Sequence, residues 1–311
     1  MGDPHSARVQ QGRGDSVRFL VLTTGTPDTE KLVRSVTCLG HETRVVQYDV
    51  VGVDVPGVVE ETKADVTVYV GACDDFHNGA PVPSVDALCR MNRASPMIHL
   101  CSDAADPPWH PLLESYHAAG AFRLQVAIDG VRSSPIGRFG RVALTPVDPT
   151  QYVERSWSDR SVPCGFAGGG GARIDWIRPM IDRGALQWWN ESGFAPYAEL
   201  CEFYGRCQLV VNDARSGSGA ARHVKGRFVE ASLAGAVIVE PRDSPAREWF
   251  EPGVDFLEWG SVDEAVEHFR ASSASSAENE RMASRMRAGM LERHAAGPFW
   301  RGVLEQAGIS C

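Results

Sequence analysis

Short apolar runs rich in β-branched residues recur along the chain, each followed by a turn and then by apolar positions at helical spacing. The first run is 17–24 (VRFLVLTT), after which Asp28, Thr29 and Glu30 open a helical pattern that Gly40 ends. Further strands are predicted at 43–48 (TRVVQY), 65–70 (DVTVYV), 97–101 (MIHLC) and 123–128 (RLQVAI), with helices near 56–63 and 84–92 and one ending at Gly120. Strands alternating with helices at this spacing predict a parallel sheet with crossover helices. Segment 129–150 is rich in Gly, Pro and Ser and keeps no period, which sets a domain boundary just beyond it and a linker near 148–159.

The alternation then restarts. A strand at 162–167 (VPCGFA) runs into glycines 168–171 and a helix from Arg173 to about Arg183. A short strand at 186–189, a helix at 197–204, a strand at 207–212, a helix at 228–233 and a strand at 236–240 follow, and 262–306 reads as two or three helices. Trp188 and Trp189 read as packing, and 248–259 as a turn between apolar runs. The expected organisation is a flexible tail at 1–16, one α/β domain at 17–150, a second at 151–285 and a C-terminal helix at 286–311.

Composition narrows the class. At 311 residues the chain is long for one core and comfortable for two, and 43% hydrophobic with 23% charged residues argues against global disorder. No apolar run approaches the ~20 residues of a membrane helix, and the first sixteen residues are polar, so a cytoplasmic protein is expected. The eight cysteines are scattered without a CxxC pair, which points to reduced thiols and away from a disulfide framework or a structural zinc. A net charge of −9 makes a nucleic-acid acceptor less favoured, although a local basic patch can override it.

Three features could carry chemistry. The first is a strand, then Gly168, Gly169, Gly170 and Gly171, then a helix beginning near Arg173. Glycines allow close backbone approach, and a helix N-terminus offers unpaired N–H groups to a diphosphate; the plain alternative is a flexible interdomain loop. Glu191, about twenty residues on, raises a dinucleotide site, but Arg173 or Ile174 falls where the third small residue of that fingerprint belongs. The second feature is a strand end followed by Arg215 and a Gly/Ser loop, then Arg222, His223, Lys225 and Arg227, counted as four cations ahead of a helix. Lys225 and Arg227 stand at a helix start, where the dipole opposes them, so an anionic ligand is the better account of both; Arg222 reads as a solvated cation. Glu230, one turn on, could take the hydroxyls of a ribose or pair with Arg227 three residues before it. The third feature is the loop after MIHLC, with Asp103, Asp106 and His110. A carboxylate at a strand's carboxyl end is a suitable general base, and Asp103 is the candidate, because Asp106 precedes Pro107-Pro108, where a cap or turn explains it. No DxD pair demands a metal.

GFAGGGGAR, YAELCEFYGRCQLVVNDARSG, KGRFVEASLAGAVIVEP and WFEPGVDFLEWGSVDEAVEHF, in that order, resemble the GT-B glycosyltransferases of the spore-maturation (CgeB-like) branch, with a family-1-like donor domain. The resemblance covers about 162–269. It implies two Rossmann-like domains facing a cleft, an N-terminal acceptor domain and a C-terminal donor domain, and a last helix crossing back to the first domain. It also implies a nucleoside-diphosphate sugar as co-substrate, a UDP-sugar first among them, with no further cofactor. Glycines 168–171, Lys225 and Arg227 would then face the diphosphate and Glu230 the ribose. Many retaining enzymes of this type carry another glutamate eight residues earlier, where this chain has Arg222, so the stereochemical course stays open. The acceptor could be a glycan, a small molecule or modified DNA. A DNA-modifying enzyme would use Arg132, Arg138 and Arg141, and a non-catalytic nucleotide-sugar-binding protein would keep the donor site without a base.

Overall fold

The computed structural model describes residues 16–24, 28–48, 52–71, 83–189, 196–216, 218–272 and 274–310. Glu191 and most of the expected tail lie outside them.

The first half alternates β1 (Arg18–Thr23), α1 (Asp28–Thr37), β2 (Glu42–Gln47), α2 (Val55–Thr62), β3 (Val66–Val70), α3 (Val85–Ala94), β4 (Met97–Cys101), α4 (His110–Ala119), β5 (Leu124–Ala127), α5 (Ile136–Phe139) and β6 (Arg141–Val142). The strands form one sheet of order β2-β1-β3-β4-β5-β6, parallel throughout. All five residues of β4 are buried, as a central parallel strand covered on both faces requires, whereas the edge strand β2 is mostly exposed or half-buried. Strand β6 and helix α5 fall in the segment read as structureless, because a two-residue strand carries no periodic signal.

The second half contains β7 (Val162–Ala167), α6 (Ile174–Asp182), β8 (Gln187–Trp189), α7 (Tyr197–Arg206), β9 (Cys207–Val211), α8 (Gly226–Leu233), β10 (Val237–Pro241), β11 (Leu257–Trp259), α9 (Val262–Ala271), α10 (Ser276–Arg293) and α11 (Ala296–Ala307). Its sheet, also parallel, has the order β11-β10-β9-β7-β8. Segment 257–259, expected within a turn, adds the edge strand β11 beside β10. The order reverses between β7 and β9, and a crevice opens at the carboxyl ends of strands on either side of such a reversal.

Apolar clusters cover both faces of each sheet. Met282, Met286 and Met290 of α10 pack with the second sheet, so the chain leaves that unit only past Arg293, and the expected start of the crossing at 286 falls inside one continuous helix. Helix α11 then buries Phe299, Trp300, Val303 and Leu304 in the core of the first sheet. Trp300 donates from Nε1 to Ser35 Oγ at 2.9 Å, and Ala296 N donates to Val147 O at 3.0 Å, which seats that helix. Among the described residues no helix is long and apolar enough to cross a membrane.

Candidate functional site

The carboxyl ends of β7 and β9 and the start of α8 meet at one place. Gly168 leaves β7 with φ at +138°, a backbone conformation that favours glycine, and a Cβ there would lie 2.6 Å from Arg227 Nη2. Trp188 braces the turn, donating from Nε1 to Gly168 O at 2.9 Å, and its ring lies 2.9 Å from where a Cβ on Gly170 would stand. A small residue is therefore needed at both positions so that Arg227 and the indole can approach the backbone.

Arg227 enters this turn from α8. Its Nε donates to Ala167 O at 2.8 Å and its Nη1 to Asn212 Oδ1 at 2.7 Å, while the guanidinium lies 4.5 Å from the centre of the Phe166 ring. The pairing with Glu230, offered above as one account of that acid, is thus not what holds Arg227. Behind it, Asn212 donates to Glu240 Oε2 at 2.6 Å and Ser244 donates to Glu240 Oε1 at 2.5 Å. Burial pushes the Glu240 carboxyl up to about 7, against the hydrogen bonds from Ser244 and Asn212 that favour its ionised form.

Arg173 donates from Nη1 to Gly169 O at 3.1 Å, with Nε 3.8 Å from Asp213 Oδ2. Arg215 is turned to carboxylates instead: it meets Asp213 at 2.7 Å and Asp175 at 3.2 Å. Burial raises the Asp213 pKa, but donors from Arg215 and Trp176 outweigh it and hold the carboxyl below its usual range. Lys225 is the residue before α8, Arg227 lies in its first turn, and no side chain caps that helix, so both cations stand at its positive dipole end. Glu230 is buried one turn in, with Lys31 Nζ of α1 at 3.9 Å from its Oε1. A Cβ on Gly226 would stand 2.9 Å from that same ammonium, so the first sheet's α1 reaches across to the start of α8.

A second polar group lies between the two sheets. Asp103 and Asp106 follow β4, Asp129 follows β5, and His223 comes from the loop before α8. His223 is 1% exposed, with Nδ1 3.4 Å from Asp103 Oδ1, and Nε2 3.7 Å from Asp106 Oδ1 and 3.9 Å from Asp129 Oδ2. Burial, with Lys225 beside it, pulls the imidazole down to about 4, so it is neutral at pH 7 and is not one of the four cations read from the sequence. Asp106 does not cap the turn after it through its side chain, as expected from Pro107-Pro108; its Oδ2 accepts from Ser218 Oγ of the opposite unit at 3.1 Å. Asp129 accepts from the N–H groups of Ala105 and Val131, and burial raises it to about 7. Two hydrogen bonds to backbone carbonyls close this junction: Val224 N donates to Asp129 O at 2.8 Å, and Trp249 Nε1 donates to Gly130 O at 2.7 Å.

Ligand atoms of Asp103, Asp106 and His223 lie within 4.8 Å of one another, a spacing open to a metal ion. Lys225 Nζ, however, stands 3.3 Å from His223 Nδ1 and already supplies positive charge to the cluster. Beside it a cavity of about 500 Å³ opens between the units, walled by Ala105, His110 and Ser134 on one side and Arg222, Asp243 and Arg247 on the other.

Arg132, Arg138 and Arg141 do not make one basic surface. Arg132 stacks 4.6 Å from the centre of the Trp249 ring, Arg138 pairs with Glu114, and Arg141 donates to Gly302 O of α11. Of the groups gathered here, sequence reasoning missed Lys31, Asp129, Asn212 and Glu240. Asp129 and Glu240 could have been found by the signal that marked Asp103, an acid at a strand's carboxyl end; Lys31 and Asn212 have no such signature.

Residues 167–300 match the family model described as glycosyl transferase-like. No curated protein matches the sequence. Among solved structures, Alr3699/HepE of Anabaena in complex with UDP and glucose superposes with a TM-score of 0.63 at 15% identity, covering 94% of this chain and 99% of that one. An α-glucosyltransferase in complex with UDP and a 13-mer DNA containing an HMU base gives 0.63 at 8% identity, over 94% and 99%. BGT of phage T4 in complex with UDP and Mn2+ gives 0.56 at 10% identity, over 94% and 97%. The two parallel sheets facing a cleft are therefore the two Rossmann-like domains of the GT-B fold.

Proposed function

We propose that the chain is a glycosyltransferase whose donor is a uridine diphosphate sugar, held by the second domain of the GT-B fold and transferred to an acceptor hydroxyl. The carrying observation is the convergence of Arg173, Lys225 and Arg227 on the uncapped start of α8 and the glycine turn after β7. Three cations at the start of a helix that no side chain caps match the charge of a diphosphate. UDP in the HepE, α-glucosyltransferase and BGT complexes favours uridine as the base.

In this reading Lys225, Arg227 and the first amides of α8 take up the negative charge that grows on the departing diphosphate, which lowers the barrier to breaking the bond at the anomeric carbon. Arg173 holds the glycine turn against them. Glu230 accepts from the ribose hydroxyls, and Lys31 moves off its carboxylate as the ribose enters. Arg215, occupied by two carboxylates, sets the wall of the site and does not touch phosphate. Asp103 removes the proton from the acceptor hydroxyl, which enters from the cavity between the domains.

A thermal-shift panel of uridine, guanosine, adenosine and thymidine diphosphates, with NAD, tests the donor. The uridine compound is expected to raise the melting temperature most. Stabilisation by NAD alone, or by none of them, would remove the reading.

A further inference from the structure

The proposed base belongs to the first domain and the diphosphate cations to the second, and one buried side chain touches both sets. His223 Nδ1 stands 3.3 Å from Lys225 Nζ and 3.4 Å from Asp103 Oδ1. On its other side, Nε2 faces Asp106 and Asp129. We infer that His223 is a positioning residue: carried by the donor domain, it accepts from Lys225 and fixes that ammonium in one cluster with the acceptor domain's Asp103, so that cation and base come together only when the two domains are apposed. The inference rests on reading Asp103 as the base.

The surroundings give the ring little freedom. Its own backbone N donates to Ala214 O at 2.7 Å, and the next residue donates across the cleft to Asp129 O at 2.8 Å, so the imidazole cannot leave without breaking the domain junction. The groups facing it are Asp103 and Asp106 from the loop after β4, Asp129 from the end of β5, and Lys225 on its own segment. An ammonium has only protons to give, so Lys225 takes Nδ1 as its acceptor and the ring proton sits on Nε2, toward Asp106 and Asp129. Asp103 thereby shares its cluster with a fixed ammonium. At 30% side-chain exposure, Asp103 is the one acid of the three open to a substrate; Asp106 and Asp129 are buried.

The arrangement also predicts which substitution is tolerated. The Asn side chain places its amide where Nδ1 stands, whereas Gln reaches the position of Nε2. His223→Asn should therefore keep an acceptor for Lys225, and His223→Gln should lose it.

The experiment measures kcat, the KM for the UDP-sugar and the melting temperature for wild type, His223→Asn, His223→Gln and Asp103→Asn, each with and without EDTA. His223→Gln is expected to lower kcat about 10- to 100-fold, the cost of a misplaced group, with the donor KM within about threefold. His223→Asn is expected to stay within about threefold of wild type, at a melting temperature like that of the Gln variant. Equal loss in both variants, or a loss confined to the donor KM, would overturn the inference and make His223 a packing or a donor-binding residue. Activity lost with EDTA in wild type but not in His223→Gln would overturn it in favour of a metal site. If Asp103→Asn turns over like wild type, the base reading itself fails; if Asp103→Asn collapses while His223→Gln is normal, only the role of His223 fails.

Discussion

The donor-side site and the acid cluster sit close together but are built in different ways. The proposed donor site is made by one domain: Gly168 and Arg173 follow β7, Asn212 follows β9, Lys225 and Arg227 stand at the start of α8, and hydrogen bonds to backbone carbonyls fix both arginines. The acid cluster is made by two domains, with Asp103, Asp106 and Asp129 on one and His223 on the other. A site within one domain is present in the open and the closed protein; a site across the cleft exists only when it is closed. Binding should accordingly be robust, and chemistry should depend on closure.

The largest effect expected is at the cross-domain site. Asp103→Asn should lower turnover by about 10²- to 10⁴-fold and leave UDP binding unchanged, measured by steady-state kinetics beside a binding titration. Weakened UDP binding in that variant would join the two regions into one site and dissolve the contrast between them.

Next comes the donor side. Arg227→Ala removes a cation whose other contacts, Ala167 O and Asn212, stay in place, and should weaken UDP binding by about 30-fold or more. Gly168→Ala strains a backbone at φ +138° and drives a methyl group into Arg227 Nη2, so it should cost about 1 to 3 kcal/mol of stability in a denaturant melt and weaken UDP binding with it. A variant with normal stability and normal binding would mean that the glycine turn does not constrain Arg227.

The smallest effect concerns Glu240. Its folded pKa, about 7, lies above the ordinary value of 4.5, so between those values the folded protein holds a proton that the unfolded chain releases. This group's contribution is therefore intact below 4.5 and is lost as pH rises to about 7. Glu240→Gln cannot ionise and keeps an acceptor for Asn212. Its melting temperature should gain on wild type as pH rises from 5 to 8; a constant difference across that range would show that Glu240 is ionised throughout in the folded protein.

This contrast also explains what could be read from the sequence. The alternation of apolar runs carried nearly all of both sheets, and the glycine turn with Lys225 and Arg227 stood out because the residues that build it are near one another in the chain. Arg215 stood out by the same local reading, and the structure gives it to Asp213 and Asp175, because a sequence shows a cation without its partners. His223 was counted as a cation for lack of the burial that neutralises it. Asn212 and Glu240 are 28 residues apart and meet only because β9 and β10 are neighbours. Lys31 reaches Glu230 from the other domain, 199 positions away by number, and no spacing rule spans that distance.

In the proposed reading, the second domain holds a uridine diphosphate through Arg227 and the start of α8. Calorimetric titration of UDP into wild type and Arg227→Ala tests it most directly. One UDP site in wild type, weakened about 30-fold or more in the variant, is the predicted result. No heat of binding in wild type, or equal affinity in both proteins, would contradict the account.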